Sequence, residues 1–218
     1  MSELSEGAAM LNANELYQLL LNAYGKPRWW SEDPFTVMFQ AVLVQNTAWG
    51  SVEKTCSVIG DRLTPERIEA LPVEELEELI RPCGFYKAKS RTIKAILEWY
   101  RQYHFEQERV RQISASRLRK ELLAIRGVGA ETADVILVYA FYKPSFIIDA
   151  YTRRFLSRMG YSFADDDSIR YFFQTSLPGD AEVYGWYHWL ILDHCISACR
   201  KRPECEACPL RSKCRQCL

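Results

Sequence analysis

Between two amphipathic runs the chain places Ile125-Arg126-Gly127-Val128-Gly129-Ala130, and this break constrains the fold more than any other segment. Leu118, Leu122 and Ile125 before it, and Ala133, Ile136, Leu137 and Ala140 after it, recur at helical spacing. Two glycines one residue apart let the backbone turn sharply, so the segment predicts two helices joined by a tight hairpin. The second helix then opens on unhindered N–H groups at the positive end of its dipole. Such a terminus holds a phosphate without any basic side chain. An isolated carboxylate, Asp149, comes directly after the apolar run Phe146-Ile147-Ile148. A phosphate grip with a carboxylate downstream points toward chemistry on a nucleotide.

The rest of the chain also reads as helix. Leu16, Leu19, Leu20 and Ala23 mark a first one. Asp33-Pro34 and Thr64-Pro65 are N-cap residues followed by proline at the first helical position. Glu74 to Ile80 continues helically until Pro82 and Gly84, and Lys87 to Tyr100 carries Ile93, Ile96 and Leu97 on one face. Ser114 or Ser116 caps the helix before the hairpin. No β-hairpin signal stands out, so the fold class is all-α with short connections. Proline at 144 stops the second hairpin helix and places a boundary near Lys143-Pro144-Ser145.

Charge balances at 28 basic against 28 acidic residues, so affinity for a polyanion must come from local patches rather than net charge. Arg200, Lys201, Arg202, Arg211, Lys213 and Arg215 near the C-terminus supply one, against only Glu204 and Glu206. Neither a signal peptide nor a long apolar span is visible, so the expectation is a soluble, cytoplasmic protein without a membrane partner. Eight cysteines are then poor candidates for a disulfide framework, and six of them fall within residues 195–218. That crowding is a metal signal. Cys199-x5-Cys205-x2-Cys208-x5-Cys214 puts four thiolates on one short loop, able to wrap an iron–sulfur cubane or to bind zinc. Cys195 and Cys217 are spare thiols that could replace one of the four as ligand, whereas Cys56 and Cys83 read as buried apolar residues.

The order of helix, Gly-Val-Gly hairpin, helix and Asp149 resembles the helix-hairpin-helix DNA glycosylases of the endonuclease III superfamily. Gln45-Asn46-Thr47, Gly84-Phe85-Tyr86 and the terminal cysteines also fall in that family's order, so the resemblance covers most of the chain. It implies a two-lobed fold, with a central helical lobe at 26–143 and a discontinuous lobe formed by 1–25 with 144–218. A structural [4Fe-4S] cluster would sit in the loop at 195–218, held by Cys199, Cys205, Cys208 and Cys214. The partner would be double-stranded DNA containing a damaged base, bound by a monomer. Asp149 would lie in the cleft between lobes and stabilise positive charge on the sugar, orienting or deprotonating the attacking water. Read alone, it serves equally as a helix N-cap.

Further residue roles come with the same resemblance. Gln45 and Phe85 match the positions that fill the hole left by an extruded base. Gly127, Val128 and Gly129 form the DNA-binding hairpin. Arg126 replaces the family's usual hairpin proline and either reaches a phosphate or is simply solvated. Glu131 stands where bifunctional members carry a Schiff-base lysine, and a carboxylate cannot form that adduct. The implied reaction is therefore hydrolysis of the N-glycosidic bond alone, with Glu131 itself a first-turn residue favoured by the helix dipole.

Trp29-Trp30, together with Gln45-Asn46-Thr47-Ala48-Trp49 and Glu131-Thr132-Ala133-Asp134, is similar to the 3-methyladenine glycosylase branch. Aromatic faces at Trp29, Trp30 and Trp49 would hold a cationic alkylated purine. The same tryptophans could equally be core anchors. Other readings stay open: a bifunctional glycosylase/AP lyase, a uracil or thymine mismatch glycosylase, and a non-catalytic DNA-binding module.

Overall fold

The computed structural model describes residues 10–216. Among these there is no strand, and the elements run α1 (Ala13–Tyr24), α2 (Pro34–Leu43), α3 (Trp49–Ile59), α4 (Pro65–Ala70), α5 (Val73–Ile80), α6 (Tyr86–Arg101), α7 (Gln107–Arg111), α8 (Ala115–Ala124), α9 (Ala130–Val135), α10 (Ala150–Met159), α11 (Asp166–Ser176) and α12 (Ala181–Ser197). The all-α expectation holds.

The helix starts obey their caps. Asp33 accepts from the Thr36 N–H at 2.7 Å with Pro34 at the first position of α2, and Thr64 with Pro65 opens α4 in the same way. Ser114, not Ser116, caps α8. One departure is the end of α9, where Ile136–Ala140 widens into a π-helical turn whose five residues are all buried. Five consecutive residues point to every side of such a turn, so burial of Ile136, Leu137, Val138, Tyr139 and Ala140 means the segment is surrounded by the core of its unit.

The chain divides into two compact units. Arg28–Ile147 forms one, and the segments up to Pro27 and from Ile148 onward form the other. In the first unit, α2 packs on the π-helical turn and on α6, α5 packs on α6, and α8 packs on α9. A single apolar core joins them, built from Phe35, Phe39, Ile93, Leu97, Leu118, Leu137 and their neighbours. In the second unit, α12 is the central element, with α1 and α10 packed on it and α11 packed on α1. Tyr184, Tyr187, Leu190, Ile191 and Cys195 of α12 are all buried, as suits a helix apolar on nearly every side.

Candidate active site

The Arg28–Ile147 unit carries the hairpin. Gly127 sits at φ +94°, a conformation that favours glycine, and its backbone lies against Thr92 of α6. The Thr92 hydroxyl is within hydrogen-bond distance of the Arg126 and Ala88 carbonyls, which docks the turn on α6. Val128 is buried and Gly129 caps α9 in extended conformation. Arg126 and Glu131 are exposed, Glu131 in the first turn of α9. The helix pair is tied from behind by Asp134, whose buried carboxylate meets Arg119 at 2.8 and 3.3 Å and accepts from Ser145 at 2.7 Å.

Two loops beside the hairpin carry the remaining motif residues. Gln45 is half-buried, and its amide donates to the Gly127 carbonyl at 3.2 Å and to Thr132 Oγ1 at 2.9 Å. Phe85 is 70% exposed and adopts φ +46°, ψ +27°, a left-handed conformation rare for a bulky residue. Asn46, next to Gln45, is also left-handed at φ +51°. Behind both loops lies Lys89, buried, its Nζ 2.8 Å from the Leu43 carbonyl, 2.8 Å from the Cys83 carbonyl and 2.6 Å from Thr47 Oγ1. Burial pushes this ammonium below its ordinary pKa, with the nearby Cys83 thiol acting in the opposite direction. Cys83 is buried as expected, whereas Cys56 is only half-buried, its sulfur accepting from the Gln40 amide at 3.6 Å.

The three tryptophans form one aromatic group. Trp30 meets Trp49 edge-on at 5.4 Å and Tyr139 at 5.2 Å; Trp29 lies 5.0 Å from Tyr139 and stacks on Tyr142 at 5.0 Å. Trp30 donates to Gln40 at 2.6 Å and Trp29 to the Tyr139 carbonyl at 3.3 Å. All three are half-buried, resting on the core while leaving part of each ring uncovered.

In the other unit, Asp149 is the N-cap of α10 and accepts from the Thr152 N–H at 2.6 Å. It is also 5% exposed and faces His188 of α12, Nε2 to Oδ2 being 3.5 Å. Burial alone would raise its pKa; the hydrogen bond and charge of His188, then the Thr152 N–H, outweigh that and hold the carboxyl below its ordinary value. Capping and a buried, ionised carboxylate thus coexist in one residue. Sequence reading missed His188. Its only signal was a titratable residue inside the otherwise apolar run from Tyr184 to Leu192.

The cysteine loop closes the same unit. Cys199, Cys205, Cys208 and Cys214 line one small cavity together with Arg158, His194 and Pro203. Arg158 of α10 donates to Cys199 Sγ at 3.1 Å and to the carbonyls of Cys199, Arg200 and Lys201. The Cys195 thiol, then His194 and Arg158, pull Cys199 well below the ordinary thiol range against the effect of burial. Cys195 itself is buried in α12 with Sγ 3.6 Å from the Tyr151 carbonyl. Cys217 lies outside the described residues. Among the described residues no three His, Cys, Asp or Glu side chains converge as ligands of a single ion. Four cysteines lining one cavity are a donor set of the kind that fits a cubane cluster.

Known proteins are similar to this chain in sequence and fold. Residues 39–176 match the HhH-GPD superfamily base excision DNA repair protein model. A Methanocaldococcus jannaschii protein assigned by inference as a DNA repair glycosylase is 40% identical over 207 residues, covering 92% of this chain and 94% of that protein. Among solved structures, a non-covalent endonuclease III–DNA complex superposes with TM-score 0.76 at 25% identity, covering 93% of this chain and 94% of that one. The 3-methyladenine DNA glycosylase MagIII of H. pylori, bound to 1,N6-ethenoadenine, superposes with TM-score 0.71 at 25% identity, covering 84% and 96%.

Proposed function

This chain belongs to the HhH-GPD superfamily of base excision DNA repair proteins, and from that premise we propose a monofunctional DNA glycosylase acting on alkylated purines. That it is a DNA N-glycosylase of the endonuclease III type follows from the family. The finer reading rests on one observation: the first turn after the hairpin presents Glu131, exposed, where a Schiff-base amine would be needed for strand cleavage.

Breaking the N-glycosidic bond builds positive charge on the sugar, and Asp149, held ionised by His188, supplies the opposing charge. The same carboxylate orients the water that attacks C1′ and takes up its proton. The leaving alkylpurine departs as a neutral base because it starts cationic, so no acid is required. Trp29, Trp30 and Trp49 offer ring faces suited to such a cation and to stacking on a neutral modified purine such as the 1,N6-ethenoadenine held by the H. pylori relative.

The Gly127-Val128-Gly129 hairpin grips one phosphate of double-stranded DNA through the N–H groups of Gly127 and Gly129, that of Val128 being taken by the Ile125 carbonyl at 3.0 Å, with Arg126 beside them, while Gln45 and Phe85 fill the gap left by the extruded base. Cys199, Cys205, Cys208 and Cys214 would hold a [4Fe-4S] cluster, whose role would be structural, fixing the C-terminal loop so that its basic residues can contact phosphate. The protein acts as a monomer.

The test is a set of defined duplexes carrying methylated purines, ethenoadenine, uracil, thymine mismatches, oxidised pyrimidines or adenine mismatches, assayed with and without alkali. Release of alkylpurines with strand breaks only after alkali is expected, and Asp149→Asn should abolish release while DNA binding persists. Unchanged turnover in Asp149→Asn would remove its assigned role. A second reading, glycosylase with lyase activity, is favoured by the likeness to endonuclease III. A borohydride-trapped protein–DNA adduct would select it over the first.

A further inference from the structure

We propose that Lys89 is a positioning residue for base extrusion, its ammonium locking the loops that carry Gln45 and Phe85 into one rigid insertion edge. The inference rests on the reading that these two side chains enter the duplex.

The geometry is that of a cross-link. An ammonium has three hydrogens, and Lys89 Nζ has three acceptors: the Leu43 carbonyl, the Cys83 carbonyl and Thr47 Oγ1. Leu43 is the last residue of α2, and Cys83 ends the 3-10 turn Arg81–Cys83. Both carbonyls therefore stand at the negative end of a helical segment, where a cation is most favourable. Thr47 accepts from Lys89 and has the Cys83 carbonyl as an acceptor for its own hydroxyl, joining the two loops a second time. The amine is engaged as a structural cation, not presented as a nucleophile.

The residues just beyond each capped end give the cross-link its purpose. Asn46 and Phe85 are both left-handed, at φ +51° and +46°, and neither is glycine. Asparagine visits that conformation readily, but a bulky phenylalanine keeps it only where the surroundings over-determine it. Lys89 fixes the backbone a few residues upstream of each, and its own backbone N–H also bonds the Phe85 carbonyl at 3.0 Å. Gln45 in turn reaches the Gly127 carbonyl and Thr132, so the hairpin joins the same edge. Filling the core would need only an apolar chain of this length; burying a charge there demands acceptors that a methionine would not use.

The experiment uses the full chain and a duplex with a tetrahydrofuran abasic analogue opposite 2-aminopurine, whose fluorescence rises when inserted side chains unstack it. The proteins compared are Lys89→Met, Phe85→Ala, the double variant and Thr47→Val, each with its melting curve and its affinity for undamaged duplex. Lys89→Met should lose roughly tenfold or more in the unstacking equilibrium, as small misplacements of working groups do. Affinity for undamaged DNA should change far less, and the double variant should lose less than the sum of the two single losses, since Lys89 then positions Gln45 alone. Should Lys89→Met not fold, Thr47→Val carries the same comparison, since it leaves the ammonium one acceptor short. Normal unstacking by Lys89→Met beside an impaired Phe85→Ala overturns the proposal alone, as do additive losses in the double variant. Normal unstacking by Phe85→Ala removes the underlying reading, and the proposal with it.

Discussion

His188 Nε2 lies 3.5 Å from Asp149 Oδ2, with the two side chains 4% and 7% exposed. A carboxylate this buried would ordinarily gain a proton; the hydrogen bond and charge of His188 and the Thr152 N–H reverse that and depress its pKa. The ionised form therefore persists to below the ordinary aspartate range. The stability it contributes is present above the unfolded value and lost as pH falls through the folded one. Replacing His188 by leucine leaves burial dominant, so the acid limb of the single-turnover rate should move to higher pH. His188→Gln, which keeps a donor without the charge, should move it less. A pH–rate profile in His188→Leu that coincides with wild type would detach the histidine from the carboxylate's ionisation.

Asp134 is the other buried carboxylate with a named cation. It is 2% exposed, paired with Arg119 through two contacts and bonded by the Ser145 hydroxyl. Removing one member of such a pair leaves the other uncompensated, at a cost of about 3 kcal/mol where one partner is partly solvated. Asp134→Ala should lower the melting temperature of the Arg28–Ile147 unit by roughly 10 °C. Thermal denaturation followed by circular dichroism checks this, and a shift under a degree or two would make the pair dispensable.

Much of this architecture was legible because its signals are local. Asp33-Pro34 and Thr64-Pro65 act within three residues of themselves, so the caps they form could be read off directly. The hairpin glycines were legible for the same reason, and so was the N-cap role of Asp149. His188 was not, because its meaning depends on α12 passing beside the start of α10. Nor was the role of Lys89, whose three acceptors come from two segments that only the fold brings together. The π-helical turn at Ile136–Ala140 was invisible because composition does not distinguish a wide buried turn from a regular one.

The cysteine loop allows a prediction that separates iron–sulfur from zinc. Cys199, Cys205, Cys208 and Cys214 line one cavity, and Arg158 bridges it to α10. Protein purified with its cluster should be brown, with broad visible absorption that Cys205→Ala abolishes; zinc would give no colour. Limited proteolysis of Cys205→Ala should cut first in the loop beyond Ala198 while the Arg28–Ile147 unit stays intact, since that unit contains none of these cysteines. A colourless wild-type protein with stoichiometric zinc would refute the cluster.

The two hairpin glycines should fail in different ways. At Gly127, φ is +94° and an added Cβ would sit 2.0 Å from Thr92 Oγ1, so Gly127→Ala meets both backbone strain and a collision. The strain alone costs about 1–2 kcal/mol, and Gly127→Ala should melt early and bind all duplexes poorly. Adding Thr92→Ala relieves the collision and should recover part of the stability, with the strain remaining. Gly129 is extended at φ −89°, and nothing lies near an added Cβ there. Gly129→Ala should therefore melt like the wild type. On the proposed reading its methyl stands where a phosphate would approach the backbone N–H groups, so affinity for damaged and undamaged duplex alike should fall. Fluorescence anisotropy with both duplexes decides the matter: normal binding by a normally stable Gly129→Ala would end the reading of this hairpin as a phosphate grip.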